Sequence, residues 1–207
     1  MGREVVLNLL IARKRELVPI FPLKTVLFPE MVLPLKIFEV RYMDMAKACL
    51  KDGSAFGVCL IREGSEVGTP AVPEKIGCLA RIAECDMEEL GILKVKAEGL
   101  ERFRIVSSEV NKSGLIIGEI EKHEAEAAGE GAVGFEECAD FLRKVIAGIG
   151  AERFAEPLRF EDASWVGFRL AEILPLRSDV KQKLLELTDA SLRVAILHRF
   201  LKQQQLI

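Results

Sequence analysis

Histidine is nearly missing from this sequence: His123 and His198 are the whole supply in 207 residues. Metal centres built on clustered imidazoles are thereby excluded, and no HExxH occurs. A Ser-His-Asp nucleophile would need one of these two residues, and no GxSxG elbow surrounds any serine. The phosphate-cradling pattern GxxxxGK[ST] is absent too. Its nearest approach, Gly64 to Thr69, has Glu66 and no lysine and reads as a surface loop. Cysteine is present five times (Cys49, Cys59, Cys78, Cys85, Cys138), an odd set without a CxxC pair. That argues against a disulfide framework and a structural zinc site and for buried, reduced thiols. Long apolar runs are lacking as well. Leu7 to Ala12 and Ala190 to Leu197 fall short of the roughly 18–20 residues of a membrane span. Arg13, Lys14 and Arg15 stand where a secretory signal would place small residues and a cleavage site, so a soluble cytoplasmic protein is expected. A basic excess is also wanting: the net charge is -3, which gives no electrostatic footprint for nucleic acid. The expectation is a chain with no catalytic residues, no metal and no cofactor.

Half of the residues are hydrophobic, enough for a real core. From Leu17 to about Glu121 short apolar or alternating runs are separated by Gly and Pro, the punctuation of strands. Strands are expected at Leu17–Phe21, Met31–Ile37, Ser54–Ile61, Ile76–Asp86, Ile92–Glu98, Glu101–Val110 and Leu115–Glu121. One helix, Glu39–Lys51, interrupts them, with Val40, Met43, Ala46 and Leu50 on one face and Gly53 as its stop. Alternation is clearest where Leu93, Val95 and Ala97 interleave with Lys94, Lys96 and Glu98, followed by a turn at Gly99 and a second charged strand. One face is apolar and the other charged, as in an antiparallel sheet solvated on one side, and so many short strands suggest a barrel or coiled sheet. The cations Lys94, Lys96, Arg102 and Arg104 are interleaved with Glu98, Glu101 and Glu109. They read as a solvated face with cross-strand ion pairs rather than an RNA contact.

The pattern changes after residue 121. Residues 122–134, acidic and rich in Ala and Gly, suit a solvated connector, with His123 in solvent. Helices are expected at Phe135–Ala147, Glu152–Leu158, Ala163–Ile173, Asp179–Leu187 and Ala190–Gln204, with Ser178 and Thr188 at cap positions. In the last of them Leu192, Ile196, Phe200 and Leu201, with Val194 and Leu197, form a broad apolar stripe that calls for a helical bundle. The organisation is thus an extension (1–16), a β-domain (17–121), a connector (122–134) and a bundle (135–207).

Specific motifs carry a family resemblance. Leu17-Val18-Pro19-Ile20-Phe21-Pro22-Leu23, then Val26-Leu27-Phe28-Pro29 and Met31-Val32-Leu33-Pro34-Leu35, resemble the opening of Lon protease N-terminal domains. Ile37-Phe38-Glu39 with Arg41-Tyr42, Ile76-Gly77, Val95 to Ile105, Ile173-Leu174-Pro175-Leu176 and Lys181 to Glu186 continue the match to Leu201. The resemblance implies an α+β fold, a PUA-like, mainly antiparallel β-barrel or coiled sheet with one helix, followed by a C-terminal helical bundle. In Lon this region leads into an ATPase and a Ser-Lys protease. The present chain reaches Ile207 without a Walker motif, so neither activity is carried over.

The implied function is non-catalytic recognition of unfolded or damaged polypeptide, with a protease or chaperone as further partner; the alternative is an RNA-binding PUA-like module. Contacts are expected from apolar side chains of the Pro-rich opening, Phe21, Leu27, Phe28 and Met31, joined by Phe38 and Tyr42 in one patch. The competing role for each of these is core packing, and a Phe28→Ser variant separates the two by its effect on stability. Neither a membrane nor nucleic acid is an expected partner.

Overall fold

The structure, a computed structural model, describes residues 15–89, 91–124, 126 and 132–207. The reading of Met1 to Lys14 as an extension lies outside them. In chain order the elements are β1 (Arg15–Leu23), β2 (Val32–Ile37), α1 (Val40–Asp52), β3 (Phe56–Glu63), β4 (Val72–Pro73), β5 (Ile76–Glu89), β6 (Ile92–Val110), β7 (Ile116–Lys122), α2 (Phe135–Ile149), a short 3-10 turn (Ala151–Arg153), α3 (Ala163–Ile173), α4 (Ser178–Glu186) and α5 (Ala190–Gln203).

Strand pairing runs β1-β7-β6-β5-β3, and β1 returns to β3 in parallel register, Ile20 opposite Gly57 and Leu23 opposite Leu60. All other ladders are antiparallel, and the sheet is barrel-like. Its inner face is apolar because alternate residues converge there: Ile20, Cys59, Leu79, Phe103 and Ile120 form one buried cluster. Phe103 fits only because glycines surround it. A Cβ on Gly57 would come within 2.6 Å of its ring and one on Gly77 within 2.8 Å. The opposite face, Phe21, Leu33, Phe56, Ala80 and Val95 among them, is covered by Tyr42, Met45, Ala46 and Cys49 of α1. Gly53 takes φ 63° and ends that helix.

One expectation about β6 is corrected. The sequence suggested two strands around a turn at Gly99, whereas β6 is a single 19-residue strand. Gly99 is required for another reason: the Phe28–Met31 turn crosses it, with Glu30 N–H donating to Gly99 O and Gly99 N–H to Met31 O, both within 2.9 Å. A Cβ at that position would lie 2.1 Å from the Phe28 carbonyl oxygen. Close approach, not reversal of the chain, fixes the glycine.

The bundle core is Leu142, Leu170, Leu184, Val194 and Leu201, and Val26, Phe28 and Leu60 of the β-domain belong to the same cluster. Phe28 meets Phe168 with ring centroids 5.8 Å apart. Sheet and bundle are therefore joined by shared burial. Capping differs in detail from expectation: Asp162 starts α3 by accepting from Ser164 N and Trp165 N, and Asp189, not Thr188, caps α5. Ser178 instead donates its hydroxyl to the Lys24 carbonyl. The helix expected at Glu152–Leu158 reduces to the 3-10 turn, since Pro157 has no N–H to offer a helical ladder. Cys85 is exposed, and the other four thiols are buried.

Candidate polypeptide-recognition surface

Three guanidinium groups sit in the seam between sheet and bundle. Arg169 on α3 donates to Glu30 O and Pro29 O at 2.6 Å each, holding the turn that carries Phe28. Arg102, on β6, donates to Leu185 O at 2.7 Å and Leu187 O at 2.5 Å. Arg193, on α5, reaches Leu184 O and Leu187 O. Arg102 and Arg193 share one carboxylate, Glu126, at 2.6 and 2.5 Å. Burial pushes the Glu126 carboxyl up, but hydrogen bonds and charge from Arg193, with Ser164 and Arg102, outweigh it and hold the group below its ordinary value.

Two sequence readings change here. Arg102 belongs to no solvated face, because its alternation with Phe103 points it at the bundle, where it is buried. The connector is not wholly solvated either: Glu126 is 5% exposed at its side chain, tethering the acidic stretch to both parts of the fold. Two cross-strand ion pairs of the expected kind do form on the ribbon, Lys96 with Glu84 at 2.7 Å and Arg81 with Glu98 at 2.7 Å.

The apolar residues expected to form a patch do not lie together on the surface. Phe21, Leu27, Phe28 and Tyr42 are all buried. Phe21 stacks on Tyr42 at 4.1 Å with Arg41 over the same ring, and burial raises the Tyr42 hydroxyl above its usual range. Met31 is half-buried, packed against two clusters. Of the six only Phe38 is open, at 53% exposure. Prolines fixed the opening segment in a path that turns its aromatics inward, which hydropathy alone does not reveal.

Other exposed apolar residues lie toward the same end of the sheet. Ile37 is registered with Leu93, so Phe38 follows at the end of the β5–β6 hairpin, where Met87 is 54% exposed, and Val40 begins α1 beside it. Beneath this apolar tip runs a groove of about 680 Å³ lined by Pro34, Lys36, Glu84, Cys85, Lys94 and Lys96, with Leu35 and Val95 among its other residues. Two strand edges border it. Among the described residues β2 pairs with β6 alone, and β5 beyond Ala80 also pairs with β6 alone. An edge carries unpaired main-chain N–H and C=O groups, which an extended chain can complete.

Partial burial, then Asp86, raises the Cys85 thiol above its ordinary value, and burial pushes Cys138 up to about 11. No group of three or more metal-ligating side chains converges among the described residues. No helix among them is long and apolar enough to cross a membrane.

Comparison with known proteins places the fold in a family. The family model of the "ATP-dependent protease La (LON) substrate-binding domain" matches residues 17–203. The chain belongs to the Lon substrate-binding domain family. A Lon N-terminal domain protein from Xanthomonas campestris is 34% identical, with a TM-score of 0.74, and the match covers 88% of this chain and 96% of that one. The N-terminal domain of a Mycobacterium avium complex Lon protease, at 21% identity and TM-score 0.61 over 88% and 96% of the two chains, shares the fold. The Lon protease of Dictyoglomus thermophilum is 27% identical over 92 residues, 44% of this chain and 12% of that protein. The chain thus spans a small part of that relative's length.

The Lon domain fold explains the match of both motif blocks. The first block runs through β1 and the start of β2 and includes the Phe28–Met31 turn that crosses Gly99, and Lys181 to Glu186 lie in α4. Missed from the sequence were Val40 and Met87 on the surface and Glu126, Arg169 and Arg193 in the seam. Met87 in an otherwise charged hairpin, Glu-Cys-Asp-Met-Glu-Glu, was the available signal for the first set. Arginines flanked on both sides by apolar residues, as in Phe168-Arg169-Leu170 and Leu192-Arg193-Val194, were the signal for the second.

Proposed function

We propose that this Lon-type domain recognises unfolded or damaged polypeptide in the cytoplasm, without catalysis of its own, and hands it to or holds it for a protease or chaperone. One observation carries the choice of surface. The exposed apolar residues Phe38, Val40 and Met87 lie toward the end of the sheet where β2 meets the β5–β6 hairpin, and the outer edges of β2 and of β5 beyond Ala80 are unpaired there among the described residues. A client would bury apolar side chains on the tip, each such burial contributing about 1.5–3 kcal/mol before ordering costs, and complete a strand edge with its main chain. Folded proteins offer neither, which is the basis of discrimination. Pro34 in β2 removes one donor and Lys36, Lys94 and Lys96 add charge, features that guard an edge against self-pairing while leaving it open to a partner.

RNA binding has little support in the arrangement, because Lys96 is paired with Glu84 and Arg102 is withdrawn into the seam.

The reading is tested by fluorescence anisotropy of a labelled, reduced and carboxymethylated α-lactalbumin titrated with the protein, beside the native form. Preferential binding of the unfolded form, little changed by salt, is expected, and a Phe38→Ser/Met87→Ser variant should lose it at unchanged melting temperature. Equal binding of both forms contradicts the proposal.

A further inference from the structure

A second opening lies on the other side of the crossing turn, between β6 and α3. This cleft, about 510 Å³, has Leu100, Trp165 and Phe168 in its walls and Arg159, Glu101 and Glu124 among its polar groups. Its polar groups fall into two kinds, spent and unspent. Glu126 is consumed by Arg102 and Arg193, Glu30 by Arg159, Glu98 by Arg81, and Asp162 by the N-terminus of α3. The side chains of Glu101 and Glu124, both exposed, take part in no ion pair or hydrogen bond among the described residues. They leave the cleft with two carboxylates that no cation pairs, while Arg102 and Arg193 share the single charge of Glu126.

The second observation is independent of the carboxylates. Trp165 is 3% exposed, yet its indole Nε1–H meets no acceptor, and the Nε–H of Arg159 is buried without one as well. A buried donor left unmade costs about 1–3 kcal/mol, so a site with two of them favours any ligand that brings an acceptor oxygen. Ring contacts do not meet this need: Trp165 packs edge-on to Phe160 at 5.4 Å and lies under Arg169.

We infer that the cleft between β6 and α3 is a binding subsite for a lysine or arginine residue of a polypeptide. The ligand's main-chain carbonyl accepts from the Trp165 indole, its aliphatic stem lies along Leu100 and Phe168, and its cationic head is directed to Glu101 and Glu124. An anionic ligand would suit the indole but meet the carboxylates; a purely apolar one would leave the donors unmade. This rests on the polypeptide-binding reading above and deepens it, since a client would be chosen by basic residues as well as by apolar ones.

The test titrates the whole protein against a fluorescein-labelled Gly/Ser peptide carrying arginines and against the same peptide with citrulline, which keeps shape and loses charge. The arginine peptide should bind about tenfold more tightly at low salt, a difference that shrinks as salt rises. Glu101→Gln/Glu124→Gln, both at exposed positions, should remove that preference and leave citrulline binding unchanged. Trp165→Phe should weaken both peptides equally; if it lowers the melting temperature, the carboxylate pair carries the test alone. Equal binding of the two peptides, or a preference that survives Glu101→Gln/Glu124→Gln, overturns the inference. N-acetylarginine amide binding as tightly as the peptide overturns the polypeptide as occupant, making the cleft a site for a small amine. Because these peptides lack apolar side chains, they do not report on the Phe38 and Met87 tip. Loss of unfolded lactalbumin binding with retained arginine preference sinks the general reading only.

Discussion

The hairpin tip and the inter-domain seam use the same residue types to opposite ends. At the tip, Lys96 and Glu84 are in water and the apolar residues Phe38 and Met87 are too; in the seam, the side chains of Arg102, Arg193 and Glu126 are as buried as Phe28 and Phe168. Exposed ion pairs contribute about 0–1 kcal/mol each, whereas a buried charge that loses its partner costs several times more. Mutations at the tip should therefore alter binding and spare the fold, and mutations in the seam should do the reverse. The Arg102 and Arg193 guanidiniums also stand over the Phe168 ring, at 5.6 and 3.8 Å from its centroid. That arrangement couples the bundle's packing to its charge.

The largest effect is expected from Glu126→Gln, which withdraws the one carboxylate shared by Arg102 and Arg193 and should cost about 3–5 kcal/mol in urea unfolding. Phe28→Ala follows, at about 3 kcal/mol, since a fully buried ring is removed from the cluster that joins sheet and bundle. Next comes acid sensitivity. The Glu126 carboxyl is held below its ordinary value of 4.5, so its contribution is fully present above that pH and is lost as pH falls through the lower folded value. Melting temperature should drop in that acid window for the wild-type chain, and Glu126→Gln should flatten this part of the profile. The smallest change in stability, within about 0.5 kcal/mol, belongs to Phe38→Ser and Met87→Ser, measured by thermal denaturation beside the binding assay. A seam variant that kept full stability, or a tip variant that unfolded, would break the division.

How much of this was readable in advance follows the same division. Period-two alternation exposed the strands, and α1 formed where a helix was expected, but it packs through Tyr42, Met45, Ala46 and Cys49 rather than through the Val40, Met43, Ala46 and Leu50 face, of which Val40 and Leu50 are exposed. The limits of α3 matched Ala163–Ile173 because Asp162 and Pro175 bracket it. Gly99 misled because a glycine admitting another segment's carbonyl looks, in sequence, like one that reverses the chain. The surface was misplaced for a related reason. Phe21, Leu27, Phe28 and Tyr42 are flanked by prolines or charges, which resembles exposure, but the crossing turn that buries Leu27 and Phe28 is closed by Arg169, 139 residues beyond Glu30. Partners that distant leave no periodic trace. Glu126 was hidden in the same way, as one carboxylate in an acidic run that differs from its neighbours only by where the chain passes.

The central claim is that the groove and tip formed by β2 and the β5–β6 hairpin, rather than the buried aromatics of the opening segment, receive unfolded polypeptide. Hydrogen exchange read by mass spectrometry, with and without reduced and carboxymethylated α-lactalbumin, tests it most directly. The account predicts slowed exchange in residues 32–38 and 81–96, with the exchange of 17–28 unchanged. Binding that leaves 32–38 and 81–96 untouched, or protects 17–28 instead, would contradict it.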